Sequence, residues 1–248
     1  MANLYVGTSG YSYQDCRGQF YPAGVPQKDW LAFYAQTYNA VEVNATFYRP
    51  FPAKVMAHWN EATPEAFRFV LKGPKVITHE KRLEDVESEI KAFDKSANAL
   101  QDKLNAMLWQ FPASAHREEL LEPLKHFLRM LPPKVMQVFE FRHKSWFADE
   151  VYDLLNQFQA GFVINDSPHF PSREVITGNV MYIRFHGPGK LYDSLYSHEQ
   201  LEAWAKKINP RLDENDVYLF FNNTSKGQAL KNADELRDML GQGDTKKK

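Results

Sequence analysis

The stretch Val180–Met181–Tyr182–Ile183–Arg184–Phe185–His186, running into Gly187–Pro188–Gly189–Lys190, decides how this chain is read. Its Val, Tyr, Ile and Phe content marks a strand, and the glycine- and proline-bearing tail marks the loop that ends it. In a strand, residues two apart share a face. Tyr182, Arg184 and His186 therefore point one way, and Met181, Ile183 and Phe185 the other. The first face turns from apolar to charged toward its carboxyl end.

Seven further runs have the same form: Leu4–Gly7, Ala40–Asn44, Phe67–Lys72, Ala106–Gln110, Met136–Arg142, Phe162–Asp166 and Val217–Asn222. Helix-like stretches separate them, which implies parallel pairing through right-handed crossovers. Eight such units predict a TIM (β/α)8 barrel, an α/β fold whose chemistry sits at the carboxyl ends of its strands. The length of 248 residues suits one barrel domain over residues 1–241. The lysine-ended segment 242–248 is expected to fray.

Between the runs, helices are predicted over Asp29–Tyr38, Ala53–Ala62, Lys81–Lys103, Arg117–Met130, Ala148–Gln157, Leu201–Ile208 and Gly227–Leu240. In the longest, Leu83, Val86, Ile90, Phe93, Ala97 and Leu100 recur at helical spacing. Ser197 and Gln200 form a capping box ahead of Leu201. The long first loop, Thr8–Gln27, lies at the carboxyl-end mouth.

Composition narrows the partners. A net charge of −1 gives no global attraction to nucleic acid or to an anionic membrane, so any anion site must be local. One cysteine, Cys16, excludes an internal disulfide and fits a reducing compartment, with the thiol read as inert. Strand pattern begins by Leu4 and no apolar run spans a bilayer, so the chain is expected to be cytoplasmic with no membrane partner. Nothing in the sequence sets an oligomeric state.

Alternation places Glu42 with Asn44, Glu140 with Arg142, and Arg184 with His186, while Lys72, Gln110 and Asn165–Asp166 end three other strands. Burying such groups without partners costs several kcal/mol each, so this many on one rim points to a polar pocket. Lys72, Arg142, Arg184 and Arg49 supply cations suited to carboxylate or phosphate. The loop His186–Lys190 and the turn Asn222–Gly227, which opens a helix, are where this architecture most often holds phosphate. Glu42, Glu140, Asp166, His79 and His186 form the candidate acid–base set. Asn44, Gln110, His143, Trp146, Asn222, Asn223 and Tyr11 are read as substrate-binding. A divalent metal on Glu42, Glu140, Asp166 and His186 is the runner-up, against which stand the competing cations and the lack of a close-spaced ligand motif. His58, His116, His126 and His198 are assigned to the surface; Trp30, Trp59, Trp109 and Trp204 to packing.

The segment Val6–Gly7–Thr8–Ser9–Gly10–Tyr11–Ser12–Tyr13 resembles the opening motif of the YecE-like family, domain of unknown function number seventy-two. Matching segments continue in order: Glu42–Val43–Asn44–Ala45–Thr46–Phe47–Tyr48–Arg49, Ile77–Thr78–His79, Gln110–Phe111–Pro112, Glu140–Phe141–Arg142–His143–Lys144–Ser145–Trp146, Arg184–Phe185–His186–Gly187 and Phe221–Asn222–Asn223. Tyr11 stands where the family usually has tryptophan, and Asp15–Cys16 where another tryptophan is expected. The resemblance implies a TIM barrel and carries over no established reaction.

The leading expectation is an enzyme that binds a small anionic, phosphorylated or carboxylated, sugar-like ligand. Glu140 or Glu42 serves as base, His186 or His79 as acid, and Lys72, Arg142 and Arg184 as the anion grip. A phosphodiester-processing barrel like the abasic-site endonucleases, with nucleic acid as partner, is the first alternative; a non-catalytic binding module is the second.

Overall fold

Each of the eight runs forms a strand in the computed structural model, which describes residues 3–241. The strands are β1 (Leu4–Thr8), β2 (Ala40–Val43), β3 (Arg68–Lys72), β4 (Leu104–Gln110), β5 (Met136–Glu140), β6 (Gly161–Asp166), β7 (Val180–Phe185) and β8 (Asp216–Phe221). The helices are α1 (Trp30–Tyr34), α2 (Ala45–Tyr48), α3 (Ala53–Glu61), α4 (Glu87–Ala97), α5 (Arg117–Met130), α6 (Asp149–Gln157), α7 (His198–Ile208) and α8 (Gln228–Met239). All strand pairs are parallel, in the order β1-β8-β7-β6-β5-β4-β3-β2. The result is a nearly closed α/β barrel of the TIM type. The expected tail at 242–248 lies outside the described residues.

The alternation read from sequence sorts the core into two clusters. Ala40, Val70, Ala106, Leu108, Val138, Val163, Tyr182, Tyr218 and Phe220 fill the barrel interior, where many strand positions converge and small or branched side chains fit. Val41, Val43, Phe69, Leu71, Phe139, Ile164, Ile183 and Phe221 face outward among the helices. Parallel register then aligns the polar strand ends: Gln110 lies beside Glu140, and Asn165 beside Arg184.

Side chains close the seam between β1 and β2. Asn39 accepts from the Val6 N–H at 2.9 Å and donates to the Leu4 carbonyl at 2.7 Å. The Tyr34 hydroxyl accepts from the Thr8 N–H at 2.8 Å and donates to the Ala40 carbonyl at 3.1 Å. One isolated bridge, Ser9 to Glu42, completes it. The strands approach so closely that a Cβ on Gly7 would stand 2.0 Å from the Ala40 carbonyl oxygen, so no larger residue fits.

The helix expected over Lys81–Lys103 is shorter than its periodicity suggests. Arg82, Leu83 and Asp85 take positive φ, which breaks any helix, and Leu83 donates instead to the Ile77 carbonyl at 2.9 Å. Leu83 and Val86 are buried all the same, so the apolar spacing reports packing rather than helix. The capping box holds: Ser197 Oγ accepts from the Gln200 N–H, and Gln200 Oε1 from the Ser197 N–H at 2.9 Å. Among the described residues no helix is long and apolar enough to cross a membrane.

Candidate functional site

The interior turns from apolar to ionic at the last inward position of the strands. Arg184 on β7 is fully buried and lies between two buried carboxylates. Its Nε and Nη2 donate to Glu42, with contacts of 3.0 and 2.7 Å, its Nη1 donates to Glu140, and its Nη2 also reaches Asn44 Oδ1 at 3.4 Å. Glu42 further accepts from Ser9 Oγ and Tyr182 OH, both at 2.6 Å. Glu140 accepts from Arg142 Nε at 2.8 Å. Burial by itself raises a carboxyl, yet the guanidinium groups of Arg184 and Arg142 outweigh it and hold Glu140 well below the usual carboxylate range. Burial lowers Arg184 in turn, and Glu140 and Glu42 reverse that, so it stays charged. This cluster is a fixed polar floor: both acids are spent on arginine.

Above the floor stand groups with capacity left. Arg142 is mostly buried, its guanidinium lies 4.0 Å from the Phe170 ring centre, and its Nη groups donate to no acceptor among the described residues. Lys72 is 6% exposed, donates to Gln110 Oε1 at 2.6 Å and sits 4.1 Å from the Phe47 ring centre. Neither Glu42 nor Glu140 reaches ion-pair distance from it. Burial first, then the repulsion of Arg184, partly offset by Glu140 and Glu42 and reinforced by Arg142, brings its ammonium down to about 7. His79 meets the same Phe47 edge-on, and burial with the Lys72 and Arg142 charges lowers it to about 4. It is therefore neutral near pH 7.

His186 is fully buried between two amides. Its Nε2 meets Asn165 Oδ1, which only accepts, and its Nδ1 meets Asn222 Nδ2, which only donates, both at 3.1 Å. This placing of the two amides suits the neutral Nε2–H tautomer, and burial with Arg184 nearby pushes the ring's pKa well below the ordinary value. Asp166 joins none of this. It is on the outward face of β6 and accepts from the Trp204 indole of α7, and burial raises its carboxyl.

The remaining expected site residues divide. Asn44 and Gln110 are at the mouth. His143 is half-buried and stacks on His116 with ring centres 3.9 Å apart, so His116 is not the plain surface group expected. Trp146 is fully buried, stacked on Phe141 with its indole bonded to the Ala115 carbonyl at 2.8 Å. Asn223 is buried and ties the loop after β7 to α8 through Ser194 and Asn232. Arg49 is exposed over Phe51, on the wall of a separate cavity of about 430 Å³ beside the mouth. Tyr11 is half-buried in the first loop, 6.3 Å from Tyr34.

The loop N–H groups expected to cradle phosphate are largely engaged by the protein itself. Gly187 donates to Tyr196 OH, Gly189 to Ser194 Oγ, Tyr192 to the His186 carbonyl and Lys226 to the Asp15 carboxylate. Among the described residues no three His, Cys, Asp and Glu side chains are grouped to hold a metal ion. Of the four runner-up ligands, Glu42 and Glu140 serve Arg184, His186 has both nitrogens engaged, and Asp166 faces away.

Sequence reading missed Ser9, Tyr182 and Phe170 as members of the site. Ser9 and Tyr182 were accessible through alternation, since each continues the inward face of its strand. Phe170 sits in a loop without periodicity and left no signal.

Residues 5–248 match the model of the family described as Protein of unknown function DUF72. The UPF0759 protein YunF of Bacillus subtilis is 28% identical, the match covering 96% of this chain and 94% of that protein. The UPF0759 protein YecE of Escherichia coli K12 is 29% identical over 80% of this chain and 81% of its own. Among solved structures, a DUF72 protein from Thermotoga maritima superposes with a TM-score of 0.83 at 32% identity, covering 96% of this chain and 99% of that one. A DUF72 protein from Enterococcus faecalis shares the fold at a TM-score of 0.83 and 23% identity, over 96% and 95% of the two chains.

Proposed function

Taking as premise that this chain belongs to the DUF72 family, we propose that it is an enzyme acting on a small anionic, phosphorylated or carboxylated ligand bound at the carboxyl-end mouth of the barrel. The observation that carries the reading is the pair of cations over the polar floor. Arg142 has its Nη groups free of acceptors among the described residues, and Lys72 has an amide but no carboxylate in contact. A planar guanidinium held from behind by Glu140 and stacked on Phe170 is pre-organised for a carboxylate or phosphate. The Arg184 pairs contribute rigidity and a set local field in place of the anion grip expected from sequence.

The same geometry redistributes the proton-transfer roles. Glu140, paired with two guanidiniums, is a weak base. His186 has no nitrogen left for substrate. Lys72 and His79 remain as groups that gain or lose a proton without breaking a buried ion pair. Lyase or isomerase chemistry on an acid suits such a set, as does hydrolysis. The reading keeps the chain in the cytoplasm, with Cys16 a reduced, buried thiol.

The test is thermal unfolding against sugar phosphates, carboxylates, nucleotides and abasic oligonucleotides, with and without manganese. A ligand at 100 times its dissociation constant stabilises by about 2.7 kcal/mol. A shift from small acids that Arg142→Ala abolishes supports the reading. A shift from oligonucleotides alone moves it to nucleic-acid processing, and no shift from any anion ends it.

A further inference from the structure

A buried lysine with no counter-ion in contact is costly in its charged form, so burial favours the neutral amine. Lys72 projects from the last inward position of β3, with the Phe47 ring against it and Gln110 Oε1 as its single hydrogen-bond acceptor among the described residues. Charged and titratable groups approach it from every side: Glu42 from β2, Arg184 from β7, Glu140 and Arg142 from the end of β5, and His79 from the turn after β3. The two acids among them are bonded to arginine. Burial against the Phe47 ring, with both acids bonded to arginine and neither in contact with Nζ, favours the neutral form of the amine and exposes a lone pair. Desolvation of this kind is one of the ways a lysine becomes a good nucleophile at neutral pH.

We propose that Lys72 forms an imine with the carbonyl carbon of an anionic substrate whose acid group rests on Arg142. The substrate class is then an oxo acid or a phosphorylated aldehyde or ketone, and the inference rests on the anion reading above. In the step, the Nζ lone pair adds to the carbonyl carbon while the carbonyl electron pair moves to oxygen. Nζ loses one proton, the oxygen gains that proton and a second from solvent, and one water leaves as the protonated C=N bond, an iminium, forms. Nothing is oxidised or reduced. Gln110 aims Nζ, and the iminium so formed acts as an electron sink for cleavage or proton removal at the adjacent carbon.

The experiment is reductive trapping. The protein is incubated at pH 7.5 with glyoxylate, pyruvate or pyridoxal 5′-phosphate and sodium cyanoborohydride, which reduces imines, and adducts are mapped by peptide mass spectrometry. The expected result is one adduct per chain on Lys72. It forms at least about 10-fold faster than on exposed lysines such as Lys91, as a depressed amine pKa requires. Excess phosphate or lactate, anions without a reactive carbonyl, suppresses it, and Lys72→Arg abolishes it. The wild-type map stands whether or not that variant folds. Adducts confined to exposed lysines, while phosphate or lactate still raises the melting temperature, overturn the imine and leave the anion site standing. Neither adduct nor stabilisation overturns both.

Discussion

Glu42 on β2 and Arg184 on β7 meet inside the barrel, with both strand neighbours between them, β1 and β8, contributing no charge to the contact. The pair is buried completely, and Ser9 and Tyr182 complete the hydrogen bonding of the carboxylate. It therefore ties opposite parts of the sheet while presenting nothing to a ligand.

Removing that guanidinium leaves Glu42 buried without a cation and Glu140 with Arg142 alone. Arg184→Met is expected to cost about 3–5 kcal/mol in denaturant unfolding, the range for breaking a buried pair. Arg184→Lys recovers little of it, because one ammonium cannot serve both carboxylates in the same fork geometry. A loss under 1 kcal/mol for Arg184→Met, with ligand binding gone, would reassign Arg184 from floor to grip.

Arg142 behaves in the opposite way. Arg142→Ala leaves Glu140 paired with Arg184, so stability falls by about 1–2 kcal/mol, while the affinity for a stabilising acid drops roughly 10-fold or more. Melting curves with and without ligand separate the two effects. Equal loss in both would show that Arg142 is structural.

The pH dependence has two limbs. Glu140 has a folded value below its unfolded one, so its stability is fully present above the unfolded carboxylate range and drains away as pH falls through and below pH 4. Lys72 is about 7 folded against 10.5 in the open chain, so the unfolded state binds more protons between those values. Its contribution therefore improves as pH rises from 7 toward 10.5, by at most about 1.4 kcal/mol per pH unit. Lys72→Met should flatten this alkaline limb; an unchanged slope would refute the depressed amine.

His186 should hold one tautomer. Nitrogen-15 spectra are expected to show an unprotonated Nδ1 and a protonated Nε2 that stay constant from pH 5 to 8. Titration within that range would mean that Asn222 releases Nδ1, and would return His186 to the acid–base set.

Cys16 is buried and burial raises its thiol to about 11. Thiol reagents at neutral pH should modify it only after unfolding. Rapid reaction of the native protein would point to opening of the first loop.

Much of this was legible because a strand's period of two is strict. Once Tyr182, Arg184 and His186 shared a face, their place over the barrel interior followed, and so did that of Glu42 and Glu140. What the period could not supply was pairing. Two acids and two arginines at a rim read equally as a ligand grip or as a self-satisfied cluster, and only the bonds of Arg184 to both acids distinguish them. Asp166 was displaced by the same rule that placed Asn165, since adjacent residues face opposite ways. Trp146 followed a strand end yet packed among the helices rather than at the mouth, because loop aromatics carry no periodic signal.

Asn39 and Tyr34 supply hydrogen bonds that backbone would ordinarily supply between β1 and β2. The cylinder is, in effect, a rolled ribbon fastened by two side-chain clasps. Losing a clasp would bare two strand edges at once, the kind of surface through which separate chains zip together. Colloidal behaviour in this protein is thus coupled to a pair of residues remote from any catalytic group, and light scattering of Asn39→Ala on warming, against wild type, would register that coupling directly.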